Sequence, residues 1–298
     1  MTIIIEKLGK KFNDLNVLKD ITLKIEKDQI TSIVGSNGSG KTTFLKCIGT
    51  LLIPDSGKIT YNQKDRKDIR KNISFLSAES NCLYNNLTIL QNIRYFLEIK
   101  RIKFDKKKLE EINYYLDLFD LTSKKNTVVS KLSTGMKQKV SIIISISQDT
   151  EIILLDEPSL GLDFDSLKVL KRILFKLKKE KIIIVTSHDI NLIEDISDSI
   201  IVLAKGELKY EGAMIDFKKV SPKVKVSITL DLPVSTDLKN KLKIYSNDLE
   251  YNGNNINGSL LRECLNEFLE KITSSEYKII NLETNNLFKD NFDKILTS

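Results

Sequence analysis

Eight consecutive residues, Gly35-Ser36-Asn37-Gly38-Ser39-Gly40-Lys41-Thr42, follow the order G-x-x-x-x-G-K-[ST]. Glycines let a backbone turn tightly enough to aim its N–H groups at phosphate oxygens. The apolar run Ile30–Val34 precedes the motif, and Phe44, Leu45 and Ile48 follow it at helical spacing. The segment therefore reads as a strand, a phosphate-cradling loop and a helix N-terminus, whose partial positive charge favours anions. Lys41 would reach β- and γ-phosphates, and the Thr42 hydroxyl would ligate Mg²⁺, with Thr43 on the same first turn. A chance match in a chain of this length is on the order of one in a hundred.

Two further apolar runs end in groups able to act on a phosphate. Residues 152–155 lead into Asp156, Glu157 and Pro158. A carboxylate at the C-terminal end of a parallel strand is placed to hold Mg²⁺, which makes Asp156 a metal candidate. Glu157 points elsewhere and can polarise an attacking water. Taken alone, the pair also fits a solvated acidic turn. Ile182–Thr186 and Ser187 lead in the same way to His188, the one histidine of the chain. An imidazole there can donate to a γ-phosphate oxygen. The stretch Leu132-Ser133-Thr134-Gly135-Met136-Lys137-Gln138-Lys139 opens a helix. Ser133 can cap that helix, and Gly135 permits close backbone approach.

These side chains need elements to position them. Strand-like runs recur at 3–6, 21–25, 30–34, 152–155, 182–186 and 200–203, and the last four are nearly all apolar, as in strands buried on both faces. Helical patterns lie between some of them: Leu109, Ile112, Leu116 and Phe119, then Leu167, Leu170, Leu174 and Leu177. Strands alternating with helices predict an α/β fold with a mainly parallel sheet. A shift in composition near 213–216 predicts a boundary. The remainder, 216–298, reads as a small α+β domain: a strand over 224–230, another over 248–251, a turn-rich 252–258, an amphipathic helix carrying Leu261, Leu265, Phe268, Leu269 and Ile272, and a strand over 277–282.

Composition narrows the function classes. With 41% hydrophobic and 29% charged residues the 298-residue chain reads as globular. No run approaches the roughly 18 apolar residues of a membrane helix, and the start shows no basic region followed by a long apolar stretch, so no signal peptide is expected. Cys47, Cys82 and Cys264 are too few and too scattered for a disulfide framework and suit a reducing compartment. The net charge of +7 sits within residues 1–215, because 216–298 carries 12 basic and 12 acidic side chains. Clusters such as Lys106-Lys107-Lys108 read as solvated helix faces; a polyanion site is the other reading.

In this order the pieces resemble the nucleotide-binding subunit of an ATP-binding cassette (ABC) transporter, over residues 1 to about 215. Residues 35–42 match the Walker A loop and 132–136 the LSGGQ signature. Asp156 and Glu157 match the end of Walker B, Ser159-Leu160-Gly161-Leu162-Asp163 the D-loop, and His188 the switch histidine. The resemblance implies a P-loop NTPase cassette with a mixed, mainly parallel sheet and a helical subdomain at about 80–140. It implies ATP and Mg²⁺ as cofactors, and Glu157, His188 and Lys41 as catalytic residues. Two such subunits, as a homodimer or heterodimer, would sandwich each ATP between one Walker A loop and the other's Ser133, Thr134 and Gly135, with Asp163 nearby. Phe12 falls where the family stacks an aromatic on adenine; a core residue is the alternative.

The departures from the family are specific. The loop that usually carries a Mg²⁺-sensing glutamine, and that couples to the membrane subunit, here reads Ser74-Phe75-Leu76-Ser77-Ala78-Glu79-Ser80. Either Glu79 takes the metal role or Ala78 occupies the position and leaves it unfilled. Thr134 and Met136 replace Gly and Gln of the signature. That form, with Leu83-Tyr84-Asn85-Asn86-Leu87-Thr88, is similar to cassettes of bacterial ABC-2-type exporters; Leu282–Phe288 weakly resembles the close of their C-terminal domains. The implied role is an ATPase on the cytoplasmic face of the membrane that powers a separate transmembrane permease, with no direct nucleic-acid contact. A soluble ABC-type ATPase acting on ribosomes or nucleic acid is the alternative, and a cassette that binds without hydrolysing is a third reading.

Overall fold

The computed structural model describes residues 1–62, 69–77, 83–219 and 223–286. The chain divides into two units, Met1–Met214 and Ile215–Ser298.

The first unit is built on a six-stranded sheet. Its members are β3 (Ile30–Val34), β5 (Ile73–Leu76), β6 (Ile152–Asp156), β7 (Ile182–Thr186), β8 (Ser199–Ala204) and β9 (Glu207–Ala213), in the spatial order β5-β6-β7-β3-β8-β9. All pairs are parallel except β8–β9. The apolar runs make this possible, because every residue of β3, β6 and β7 is buried. Side chains alternate between two cores. Ile153, Leu155, Ile183 and Val185 face one; Ile152, Leu154, Ile182 and Ile184 face the other.

Helices α2 (Ile89–Ile99), α3 (Lys106–Leu118), α4 (Thr134–Ile146) and α5 (Phe164–Leu177) contribute to the first core. The second core is closed by α1 (Lys41–Ile48) and by an antiparallel sheet of β1 (Thr2–Phe12), β2 (Leu15–Glu26) and β4 (Ser56–Tyr61). Each long helix starts on a sequence signal: a Thr88/Gln91 capping box for α2, Asp105 for α3, Ser133 for α4 and Asp163 for α5. A short α6 (Ile190–Ile196) follows β7, and α7 (Met214–Lys219) leads out of the unit.

The second unit runs β10 (Lys223–Leu230), α8 (Thr236–Leu242), β11 (Glu250–Asn252), β12 (Asn255–Leu261), α9 (Leu265–Thr273), β13 (Ile279–Asn286). Its sheet order is β11-β12-β10-β13, antiparallel throughout, so the unit is a βαββαβ split sandwich. Both helices cover one face through Leu238, Leu242, Phe268 and Ile272. The structure corrects the expectation for 252–258. That stretch is a hairpin, and most of β12 lies within it. Its asparagines read as turn residues, but Ile256 and Leu260 are anchored in the core and pull the strand into the sheet. The helix consequently starts at Leu265, and Leu261 belongs to β12.

Candidate active site

The site lies where β3, β6 and β7 end. Gly40, at φ 101°, caps α1 from the left-handed region. A Cβ there would stand 2.8 Å from the Leu18 side chain and 2.9 Å from the Val17 carbonyl, so the first hairpin packs directly on the loop. Lys41 Nζ donates to the carbonyls of Gly35 at 2.8 Å and Ser36 at 3.1 Å, which curls the loop around it. Burial pushes the Lys41 ammonium below its usual pKa, against the pull of Glu157 and Asp156. Ser36, Asn37 and Gly38 form the exposed rim; Ser39 is buried, Thr42 is exposed and Thr43 is half-buried.

Asp156 Oδ1 accepts from Thr186 Oγ1 at 2.6 Å and from Thr42 Oγ1 at 3.2 Å. The structure thus joins two of the residues assigned to the metal, 114 positions apart in the sequence. Three buried oxygens here, Ser39 Oγ, Asp156 Oδ2 and Glu157 Oε1, have no hydrogen-bond partner. An orphaned buried carboxylate oxygen is costly unless a ligand satisfies it. A hard cation fits Asp156 Oδ2, and Thr42 supplies a second oxygen of the same class. Among the described residues no cluster of three or more His, Cys, Asp or Glu exists to hold a metal unaided.

Glu157 sits just past β6 with φ 50°. A left-handed backbone costs a residue with a Cβ about 1–2 kcal/mol. Its N–H is held by the Thr186 carbonyl at 3.1 Å and hydroxyl at 3.0 Å. Its side chain turns to β7, where Oε2 accepts from the His188 backbone N–H at 3.1 Å. His188 Nε2 lies 3.0 Å from Oε1 without hydrogen-bond alignment, which leaves that oxygen without a hydrogen-bond partner. Burial pushes the Glu157 carboxyl above its usual range, and Asp156 adds to the rise; His188 and Lys41 oppose it. A base tuned toward neutrality is suited to general-base work.

The signature residues are positioned by other neighbours. Ser133 accepts from the Met136 N–H at 3.2 Å as the cap of α4, and Ser133 and Thr134 are exposed. A Cβ on Gly135 would stand 2.4 Å from the Gly161 carbonyl, so the signature rests on the D-loop. Asp163 is occupied as the cap of α5, and Ser166 (through hydroxyl and N–H) and Lys139 hold its carboxyl well below the usual range. Phe12 stands 44% exposed at the tip of the first hairpin with Lys10 Nζ 5.4 Å from its ring centroid, which removes the core reading. Glu79 and Ala78 lie outside the described residues, as does Cys82. Sequence reasoning passed over Thr186 and Gln138. The position of Thr186 at the end of β7, two residues before His188, was the available signal.

The ABC transporter family model matches residues 18–160. NatA, an ABC transporter ATP-binding protein of Bacillus subtilis, is 32% identical over 217 residues, which span 69% of this chain and 87% of that protein. The chain belongs to the ABC transporter ATP-binding family. The glutamine transport ATP-binding protein GlnQ of Geobacillus stearothermophilus is 31% identical and matched over 92% of its length and 72% of this chain. The sulfate/thiosulfate import protein CysA of Synechocystis is 36% identical over 71% of this chain and 61% of its own. Among solved structures, an ATP-binding subunit of an ABC transporter superposes with a TM-score of 0.68 at 26% identity, covering 74% of this chain and 93% of its own. A cassette solved as a dimer in a post-hydrolysis state with ADP and Pi gives 0.64 at 28% identity, covering 71% and 98%. The chain is therefore an ABC ATPase with the P-loop cassette fold, the ATP-binding subunit of a transporter. Subunits of this family bind ATP, form dimers and work with a transmembrane partner. Among the described residues no helix is long and apolar enough to cross a membrane.

Proposed function

We propose that this ABC ATPase sits on the cytoplasmic face of the membrane and powers a separate transmembrane permease of the exporter type, as one half of a homodimer or heterodimer. The observation that carries the ATP-driven part is the split of roles at the end of β6. Asp156 joins Thr42 with one oxygen left unpartnered, while Glu157 turns to His188. Thr42 and Asp156 would hold Mg²⁺, which when bound neutralises phosphate charge. Lys41 leaves the Gly35 and Ser36 carbonyls to reach the β- and γ-phosphates. Glu157 accepts the proton of the attacking water, and His188 donates to a γ-phosphate oxygen. Phe12, already exposed, stacks on adenine. Ser133, Thr134 and Gly135 meet the nucleotide of the other subunit, so these contacts across the pair to the γ-phosphate exist only in the closed state and vanish on hydrolysis.

The exporter assignment rests on the signature form at 132–138 and on Leu83–Thr88; the relatives named for import leave the direction to experiment. A cleft of about 290 Å³ lined by Leu51, Phe75, Leu83, Phe96 and Ile144 flanks the loop whose family counterpart couples to the membrane subunit, and a cytoplasmic segment of the permease would seat there. The test is co-purification of the tagged chain from membranes, followed by ATP-driven transport in vesicles. A multispanning partner and outward, ATP-dependent movement are expected. Recovery with ribosomes or nucleic acid instead, in a salt-sensitive manner, would overturn the reading.

A further inference from the structure

We propose that Gln138 is a positioning residue for Glu157, through which the signature helix fixes the catalytic carboxylate of its own chain. The inference rests on the reading above that Glu157 is the base. Gln138 lies on α4, one turn beyond Gly135, and is 2% exposed. Its Nε2 donates to the Pro158 carbonyl at 3.2 Å and reaches the Glu157 carbonyl at 3.4 Å. A buried amide with its N–H groups spent on two consecutive carbonyls is not a solvated side chain that happens to be near.

The backbone on which those bonds act is the strained one. Glu157 holds φ 50°, and left-handed residues with a Cβ persist only where their surroundings over-determine them. The peptide before its Cα is pinned by the Thr186 carbonyl and hydroxyl on the β7 side. The peptide after it is held by Gln138 on the α4 side and by the Leu160 N–H at 3.2 Å, and Gln138 also holds the next carbonyl, that of Pro158. With both peptides held, the side chain leaves the Cα in one direction, and Oε2 meets the His188 N–H. Loss of Gln138 leaves the second peptide on the Leu160 N–H alone and the Pro158 carbonyl without that donor, so Glu157 can relax toward less strained φ and its carboxylate away from the His188 N–H.

Helix α4 touches this segment at two more levels. Gly135 is pressed on the Gly161 carbonyl, and Lys139 pairs with Asp163 at 3.1 Å. The Lys139 pair is largely exposed on the Asp163 side, so water and salt screen it. The buried link at Gln138 is not screened. The end of the helix assigned to the other subunit's nucleotide is thereby joined, within one turn, to the base that acts on this subunit's nucleotide.

The test uses the full chain and two substitutions of matched length. Gln138→Met keeps the shape and removes both donors. Gln138→Glu keeps the shape and replaces the donors with acceptors, except where the new carboxyl is protonated and can donate again. For each, ATP affinity is read by titration with a fluorescent ATP analogue, and kcat and KM are read across pH. We expect Gln138→Met to retain ATP affinity and KM within about twofold while kcat falls at least about tenfold. The kcat of Gln138→Glu relative to Gln138→Met should rise as pH falls. A folded Gln138→Met with kcat within about twofold of the parent overturns the proposal. So does a loss of kcat matched by an equal loss of ATP affinity, which is what a merely structural role produces. Should Gln138→Met fail to fold, the pH trend of Gln138→Glu against the parent decides alone: no relative recovery at low pH overturns it. Glu157→Gln run beside them separates the two levels. Normal turnover in that variant refutes Glu157 as the base, whereas a dead Glu157→Gln with normal Gln138 variants refutes only the positioning role.

Discussion

At the residue scale, chemistry and stability pull Glu157 in opposite directions. Its carboxyl is buried, strained and raised in pKa. Below the unfolded value near 4.5 both states are protonated and burial costs no charge. As pH rises through the raised folded value the charged form must be held in the site, and stability is lost. Glu157→Gln removes that burden. It should be close to neutral in thermal stability near pH 4 and raise Tm by roughly 1–3 °C at about pH 8, while ATP still binds and turnover collapses. Calorimetry across pH and a turnover assay check both halves; a Tm that falls at high pH would contradict the desolvation argument. The same raised value places the acidic limb of kcat above the ordinary carboxylate range. The identities of Lys41, Thr42, Asp156, Glu157 and His188 were legible because each occupies a fixed offset from an apolar run. The distance that ties Thr42 to Asp156 was not, since it spans 114 positions and only the packing of β3, β7 and β6 sets it.

At the element scale, strands buried on both faces and half-buried strands with clean alternation, at 3–6, 21–25 and 224–230, were readable, and β4 was not. β6, β7 and β8 are mostly Ile, Leu and Val, and β3 adds the small polar Thr31 and Ser32 between Ile30, Ile33 and Val34, a pattern suited to burial on both faces. β4, with Ser56, Gly57 and Lys58, carries only Ile59 and Tyr61 in the core, and its place depends on pairing with β1. Helix starts were better signalled. Asp163 accepts the Ser166 N–H at 2.8 Å and its hydroxyl at 2.6 Å. Asp163→Ala should cost about 1 kcal/mol, the usual value of an N-cap. The sign of its pH dependence is opposite to that of Glu157. A carboxyl lowered in the folded state stabilises above its unfolded value near 3.8, and that contribution fades as pH falls through the folded value. Denaturant unfolding should therefore show a gap between parent and variant at neutral pH that narrows on acidification; a constant gap would assign the loss to packing.

At the scale of the whole molecule, two units divide the labour. The first unit carries every residue of the candidate site, and the second closes its own core of Val224, Val226, Ile228, Leu230, Ile256 and Leu260 against α8 and α9. Phe268 is fully buried there, with Tyr245 edge-on at 5.7 Å between ring centroids. Truncating a buried Phe to Ala removes transfer energy and leaves a cavity, together about 3–5 kcal/mol. A unit of this size has a stability of that order, so Phe268→Ala should unfold the second unit while the first stays folded. The expected record is the loss or downward shift of one of two calorimetric transitions, with ATP affinity unchanged in the same preparation. The site's hydrogen bonds described above all join residues of the first unit, so a parallel fall in ATP affinity would mean that the two units share stability that their separate cores do not reveal. With affinity intact, the same variant then asks what the second unit is for: transport retained assigns it to assembly or control, and transport lost assigns it to the coupling between ATPase and permease.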